Sequence, residues 1–249
     1  MSYRKQLNFA PILRAVIGIL VVMWVSLITG NAYADEQRYV WALQGVNLRD
    51  APSANAKVIT KLNYGDAVAI LPSSEAQVPY EMSFFPKAAG QAAKPGAMPV
   101  LSGAWIKVQA NGQQGYVFDK LLLRYTPIKK GEVTAKYFAR IFGLTPKTTK
   151  GKGDKDGAEI TTYSDHGAKK TAVEVDYYPA SSGSMSYATI AGMSFEDAFV
   201  MVNAIEPPDL SSPFTYHQGK SFEYQGREGP NCQLSIDNGV VEFDWFDEP

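Results

Sequence analysis

The sequence predicts a mainly β protein. A small barrel or sandwich over about residues 38–126 is followed by a small α+β domain with an antiparallel sheet over 128–249. Three observations predict it. Short runs rich in β-branched and aromatic residues recur between turn residues through the first half. Helical spacing of apolar residues arises only in the second half. Two Asn-Gly pairs, Asn111-Gly112 and Asn238-Gly239, lie between strand-like runs, where a tight hairpin demands positive φ.

The chain opens on Arg4, Lys5 and Arg14, with no acidic residue before Asp35, and then runs almost wholly apolar over residues 15–28. The run ends near Ala32-Tyr33-Ala34, a small-residue cleavage site. This order predicts a secretory signal peptide over residues 1–34, cleaved near Ala34, and a periplasmic or secreted protein. An uncleaved anchor is the competing reading. The apolar core is shorter than the ~20 residues that cross a bilayer, so no stable membrane span is expected after cleavage. No cysteine follows the run, which speaks against lipoprotein processing. Loss of the leader removes three basic residues and leaves 21 Lys+Arg against 25 Asp+Glu, a formal charge of −4. Such a chain is a poor nucleic-acid binder, because that binding needs a basic surface to neutralise phosphates.

In the barrel region, strands are expected over 40–48, 58–62, 67–71, 105–108 and 115–118, with turns at 50–55 and at Tyr64-Gly65-Asp66. The stretch from about 72 to 103 is rich in Pro, Ala, Gly and Ser, without sustained periodicity, and gathers Tyr80, Phe84 and Phe85. It reads as a long insertion. Either its aromatics tuck onto the barrel side, or it forms a flap that shapes a ligand groove.

In the second region, Val133, Tyr137, Phe138 and Ile141 recur at helical spacing before Gly143 and Pro146. The lysine- and glycine-rich run 147–157 reads as an exposed loop. Strands are expected at 159–164 and 171–178, where Val173, Val175 and Tyr177 alternate with Glu174 and Asp176. A second helix is expected over 194–206, capped by Ser194 with Asp197 three residues on, striped by Phe195, Ala198, Phe199, Val202 and Ile205, and ended by Pro207-Pro208. The chain closes on a hairpin around Asn238-Gly239.

No catalytic set stands out. His166 sits in a turn-like run, His217 lacks a second ligand at i+4, and no HExxH, GxSxG or Walker-type run occurs. The lone Cys232 reads as a small buried apolar side chain in a strand, with no partner for an internal disulfide. Asp154-Lys155-Asp156-Gly157 fails as a calcium loop, since it places Lys152 first and Tyr163 twelfth where carboxylates are required. No metal, no cofactor and no enzymatic activity are expected.

One set of motifs carries a resemblance. Val46-Asn47-Leu48-Arg49-Asp50-Ala51-Pro52-Ser53 leads to Val58-Ile59-Thr60-Lys61-Leu62-Asn63-Tyr64-Gly65-Asp66, then Trp105-Ile106-Lys107-Val108, then Gly115-Tyr116-Val117. In order and spacing, apart from the insertion before Trp105, this resembles the bacterial SH3 (SH3b) family over about residues 38–126. The resemblance implies an SH3-like barrel. Members are mostly recognition modules of exported proteins, often attached to cell-wall enzymes, and several bind peptidoglycan or its peptides.

The function so implied is non-enzymatic recognition of peptidoglycan or a cell-envelope protein. Ligand-binding candidates are Tyr64, exposed at its turn; Trp105 and Tyr116, open between core and groove; and Tyr80 and Phe84 on the insertion. Asn47 and Arg49 are expected to organise the barrel's loop. Two alternatives stand beside this reading. One is a periplasmic inhibitor or immunity-type protein that blocks an enzyme through its C-terminal domain, where acidic residues recur over 242–248. The other is an unrecognised hydrolase. Cysteine peptidases of the wall also carry such modules, but Cys232 has no feature that would lower its pKa.

Overall fold

The computed structural model describes residues 36–72, 77–85, 99–151, 158–165, 167, 169–177, 184–205, 207–208, 214–225 and 231–247. The expected signal peptide, residues 86–98 of the insertion, His166 and residues 152–157 lie outside them. Contacts separate Met1–Glu36 from a second unit, Gln37–Pro249.

The barrel region contains β1 (Gln37–Val40), β2 (Val46–Arg49), β3 (Val58–Leu62), β4 (Ala67–Ile70), β5 (Val78–Ser83), β6 (Val100–Ala110), β7 (Gln113–Phe118) and β8 (Leu122–Leu123). A short 3-10 turn at Asp119–Leu121 precedes β8. Their order in the sheet is β3-β2-β7-β6-β4-β1-β8, with β5 also on β6, and every pair is antiparallel. Val40, Val46, Leu48, Leu62, Val68, Ile106, Val108, Val117 and Leu122 point inward as one apolar core. The Asn111-Gly112 turn between β6 and β7 takes φ values of 50° and 76°, as a two-residue primed turn requires.

The single strand expected over 40–48 is two strands. The chain turns at Trp41–Gly45, where Gly45 holds φ 72° and its amide donates to the Ala42 carbonyl at 2.8 Å. A Cβ at Gly45 would also overlap the Leu62 carbonyl oxygen. The break lets β1 pair with β4 and β8 while β2 pairs with β3 and β7.

The insertion is corrected more deeply. β5 continues the line of β4 along one edge of β6, from Val78 opposite Trp105 to Ser83 opposite Val100. Only Trp105–Ala110 of β6 pairs with β7, so Val100–Ala104 and β5 run past the barrel as a two-stranded ribbon. Alternation at Val78, Tyr80 and Met82 was present in the sequence, but Pro72, Pro79 and Pro86 masked it.

The second region contains α1 (Thr134–Phe142), β9 (Thr145–Gly151), β10 (Ala158–Ser164), β11 (Lys170–Tyr177), β12 (Ser184–Ala191), α2 (Phe195–Ile205), β13 (Phe214–His217), β14 (Ser221–Gln225), β15 (Asn231–Asp237) and β16 (Val240–Asp247). The strands form one antiparallel sheet in the order β13-β14-β15-β16-β12-β11-β10-β9. Residues 147–151, expected as loop, belong to β9, which pairs with β10 through the whole of its length. Its lysines give it the composition of a loop. On an edge strand lysine is common, because charge there discourages pairing with another chain.

Both helices lie where periodicity placed them. Ser194 Oγ accepts the Asp197 amide at 3.0 Å, capping α2. Ser194→Ala is expected to lower stability by about 1 kcal/mol, measured by denaturant titration; an unchanged midpoint would show the cap to be idle. The helices and the inner face of the second sheet join residues of the barrel region in one core. Trp41, Phe85, Leu101, Phe118, Leu123 and Tyr125 pack in the same cluster as Tyr137, Phe138, Phe199, Phe222 and Phe243. The Trp41 indole N–H donates to the Tyr125 carbonyl at 2.8 Å, pinning the two ends of the barrel region together. Cys232 is buried in this core at 2% exposure, as its apolar reading expected.

Candidate functional site

Strand alternation sorts the barrel side chains into two faces. Ile106, Val108 and Val117 enter the barrel core, so Trp105, Lys107, Tyr116 and Phe118 lie on the outer face of β6 and β7. Trp105 stands opposite Phe118, and Lys107 opposite Tyr116. Arg49 stands opposite Tyr116 on the other side, which extends the strip across β2. Tyr80 on β5 reaches the same face, opposite Gly103.

Three aromatics close on one another there. Tyr80 lies 5.2 Å from Trp105 and 5.3 Å from Phe118 between ring centroids, and Trp105 lies 6.5 Å from Phe118. Their packing leaves Trp105 only 7% exposed. Phe118 continues into the core shared with the second region. The strip therefore grades from a buried aromatic end to an accessible end formed by half-buried Tyr116, Lys107 and Arg49, with exposed Val78 at the rim. A cationic rim beside aromatic rings suits an anionic or amide-rich ligand.

The aromatic end is held from behind. Asp119 Oδ1 accepts the Ala104 amide at 2.9 Å, and a Cβ at Gly103 would meet the Asp119 carboxylate and the Phe118 ring. On the far side of that turn, α2 brings Asp197 near Lys120, Arg38 and Arg124. Burial raises the Asp197 carboxyl above its usual range, and those three cations oppose the shift.

The sequence-expected candidates divide. Tyr80, Trp105 and Tyr116 share the outer strip, with Trp105 on its covered end. Tyr64 does not join them and is not an exposed contact. Its ring packs edge-on against Trp41 at 5.9 Å, and its hydroxyl is enclosed without a hydrogen-bond partner. Burial pushes the hydroxyl up to about 12, and the Ile128 backbone opposes that shift. The turn that suggested exposure faces the α1 side, where Tyr137 also packs on Trp41 at 6.1 Å. Phe84 does not join them either. It packs on Phe199 of α2 at 4.9 Å and on Phe85 at 5.1 Å, so the tip of the ribbon is a joint to the second region.

Arg49 organises the loop as expected, its guanidinium donating to the Ala56 carbonyl at 2.6 Å. Lys107 was missed as a site residue. The signal was available, since in Trp105-Ile106-Lys107-Val108 an inward Ile106 and Val108 force Lys107 onto the face of Trp105. Among the described residues no group of three or more His, Cys, Asp and Glu is placed to hold a metal ion. No helix among them is long and apolar enough to cross a membrane.

Comparison with curated proteins and with solved structures found no match. The family models give a partial one: residues 44–122, from the turn before β2 to the start of β8, match the bacterial SH3 domain, and the N-terminal part of this chain is a domain of that family.

Proposed function

We propose that this chain is an exported, non-enzymatic recognition protein of the cell envelope, whose bacterial SH3 domain binds peptidoglycan or one of its peptides. The observation that carries the reading is the domain match over residues 44–122, taken with an outer strip that keeps Tyr116, Lys107 and Arg49 accessible. The charged and amide groups of wall peptides suit such a strip. Arg49 and Lys107 meet carboxylates, and the Tyr116 ring offers apolar area with a polar tip. The leader-like residues 1–34 supply the route to that compartment.

The test is sedimentation of the chain spanning residues 35–249 with purified sacculi. An isolated barrel fragment is a poor reagent, because it would expose Trp41, Phe85 and Tyr125. Tyr116→Ala and Lys107→Glu are each expected to lower the bound fraction about tenfold, equivalent to about 1.4 kcal/mol, with the melting temperature retained. A folded mature chain that stays in the supernatant would sink the proposal.

A further inference from the structure

Strand alternation turns Trp105 outward, since Ile106 and Val108 enter the barrel core. An indole on the outer face of a sheet has a broad flat side to show to solvent, yet Trp105 is only 7% exposed. The cover comes from the ribbon. Tyr80 on β5 stands opposite Gly103 of β6, which has no side chain to hold the phenol ring away. From there the ring reaches Trp105, its diagonal neighbour, at 5.2 Å and meets Phe118 edge-on at 5.3 Å.

This cover is a wall and not a gate. β5 pairs with β6 in unbroken register, from Val78 opposite Trp105 to Ser83 opposite Val100. Just beyond it, Phe84 and Phe85 pack on Phe199 of α2 at 4.9 Å and 6.2 Å. A strand held along its length and at its tip has no hinge among the described residues. Tyr80 therefore bears on which ligand fits, and not on when it binds.

The chemistry of the covered place says what is kept out. The Trp105 and Phe118 rings lie 6.5 Å apart, and exposed Asn47 shares their outer face by alternation with Val46 and Leu48. Paired aromatic rings with an amide at hand suit a sugar, whose slightly positive C–H groups settle on the negative face of an aromatic ring. A pyranose ring is about as broad as a phenol ring, so it would compete with Tyr80 for one spot. The accessible end favours different groups. The strands that carry the strip, β2, β6 and β7, contain Arg49 and Lys107 and no Asp or Glu. That end suits carboxylates, which the stem peptides of the wall carry and its uncharged sugar rings lack.

We propose that Tyr80 is a specificity-determining residue: it occupies the place on Trp105 and Phe118 where a sugar ring would stack, so the strip takes the peptide part of the wall and refuses its glycan. This deepens the proposed function and rests on it.

The experiment titrates the chain spanning residues 35–249 with a soluble β-1,4-linked N-acetylglucosamine tetramer, followed by calorimetry. Tyr80→Val removes the ring and keeps a strand-favouring residue in β5; Tyr80→Thr does the same with a polar group, in case one of the two is unfolded. Circular dichroism melts select the folded variants. Each is expected to bind the tetramer about tenfold more tightly than the parent, the order of one aromatic stacking contact. Tyr80→Phe keeps the ring and should gain nothing. Adding Trp105→Ala to Tyr80→Val should abolish the gain, which loss of packing alone would not do. The proposal is overturned if the parent already binds the tetramer as well as the variants do, if the folded variants gain no binding, or if the gain survives Trp105→Ala. Sacculi play no part in this titration. A parent that ignores sacculi defeats the wall-binding reading whatever the tetramer does, and variants that ignore the tetramer defeat only the role of Tyr80.

Discussion

Phe85→Ala is expected to lower the unfolding free energy by about 3–5 kcal/mol, the range for truncating a buried phenylalanine. Phe85 follows β5 at the end of the ribbon, beyond the part of β6 that pairs with β7. Its ring nevertheless lies 5.9 Å from Phe214, 6.1 Å from Phe222 and 6.2 Å from Phe199. Those partners come from α2 and two strands of the second sheet, so the cavity would open where the two regions share a core. Rigid neighbours on several sides leave little room for collapse, which favours the upper part of the range. Denaturant titration followed by tryptophan fluorescence checks it, and one transition for both regions is expected. A loss below about 1 kcal/mol would make the ribbon a dispensable insertion. Two resolved transitions, with only one moved, would show that the regions fold independently.

The elements legible in the sequence are those whose determinants are local. Asn111-Gly112 and Asn238-Gly239 announce their hairpins because the required φ belongs to the pair itself. Ser194 and Asp197 announce α2 because a cap is settled within one turn. The strands that were missed take their definition from distant partners. Half of β12 is Ser and Ala, which carry little β signal alone, and the strand is fixed by pairing with β11 and β16. β5 is fixed by β6, across a stretch punctuated by prolines.

The candidate site follows the same division. Trp105 and Tyr116 could be placed on one face by counting along their strands. Tyr80 could not, because its approach to Trp105 depends on the pairing of β5 with β6. The covering of Tyr64 depends on Trp41 and on α1, encoded far downstream of its turn. That is a tertiary fact with no local trace.

Tyr64 gives the second large effect and the cleanest separation of packing from contact. Tyr64→Ala is expected to lower stability by about 2–4 kcal/mol, because it removes the ring against Trp41 and opens a cavity next to Tyr137. Tyr64→Phe keeps the ring and deletes a hydroxyl enclosed without a partner, so it should be neutral or stabilising by up to about 1 kcal/mol. The pH dependence has a definite sign. In the folded chain the hydroxyl holds its proton to about 12, against an ordinary value of 10.0. Below pH 10 both states are protonated and the contribution is fully present. It is lost as the pH rises from 10 towards 12, where only the unfolded chain releases the proton freely. The Phe variant should therefore lose stability less steeply across that window than the parent. Some alkaline loss will remain, because burial also raises the Tyr137 hydroxyl. Equilibrium denaturation in steps from pH 8 to pH 12 resolves the difference. If Tyr64→Phe is as stable as the parent yet loses sacculus binding, the hydroxyl is a ligand contact and the core assignment fails. If it binds fully and Tyr64→Ala is unstable, Tyr64 belongs to the joint between barrel and helix, and recognition is left to Tyr116 and Lys107.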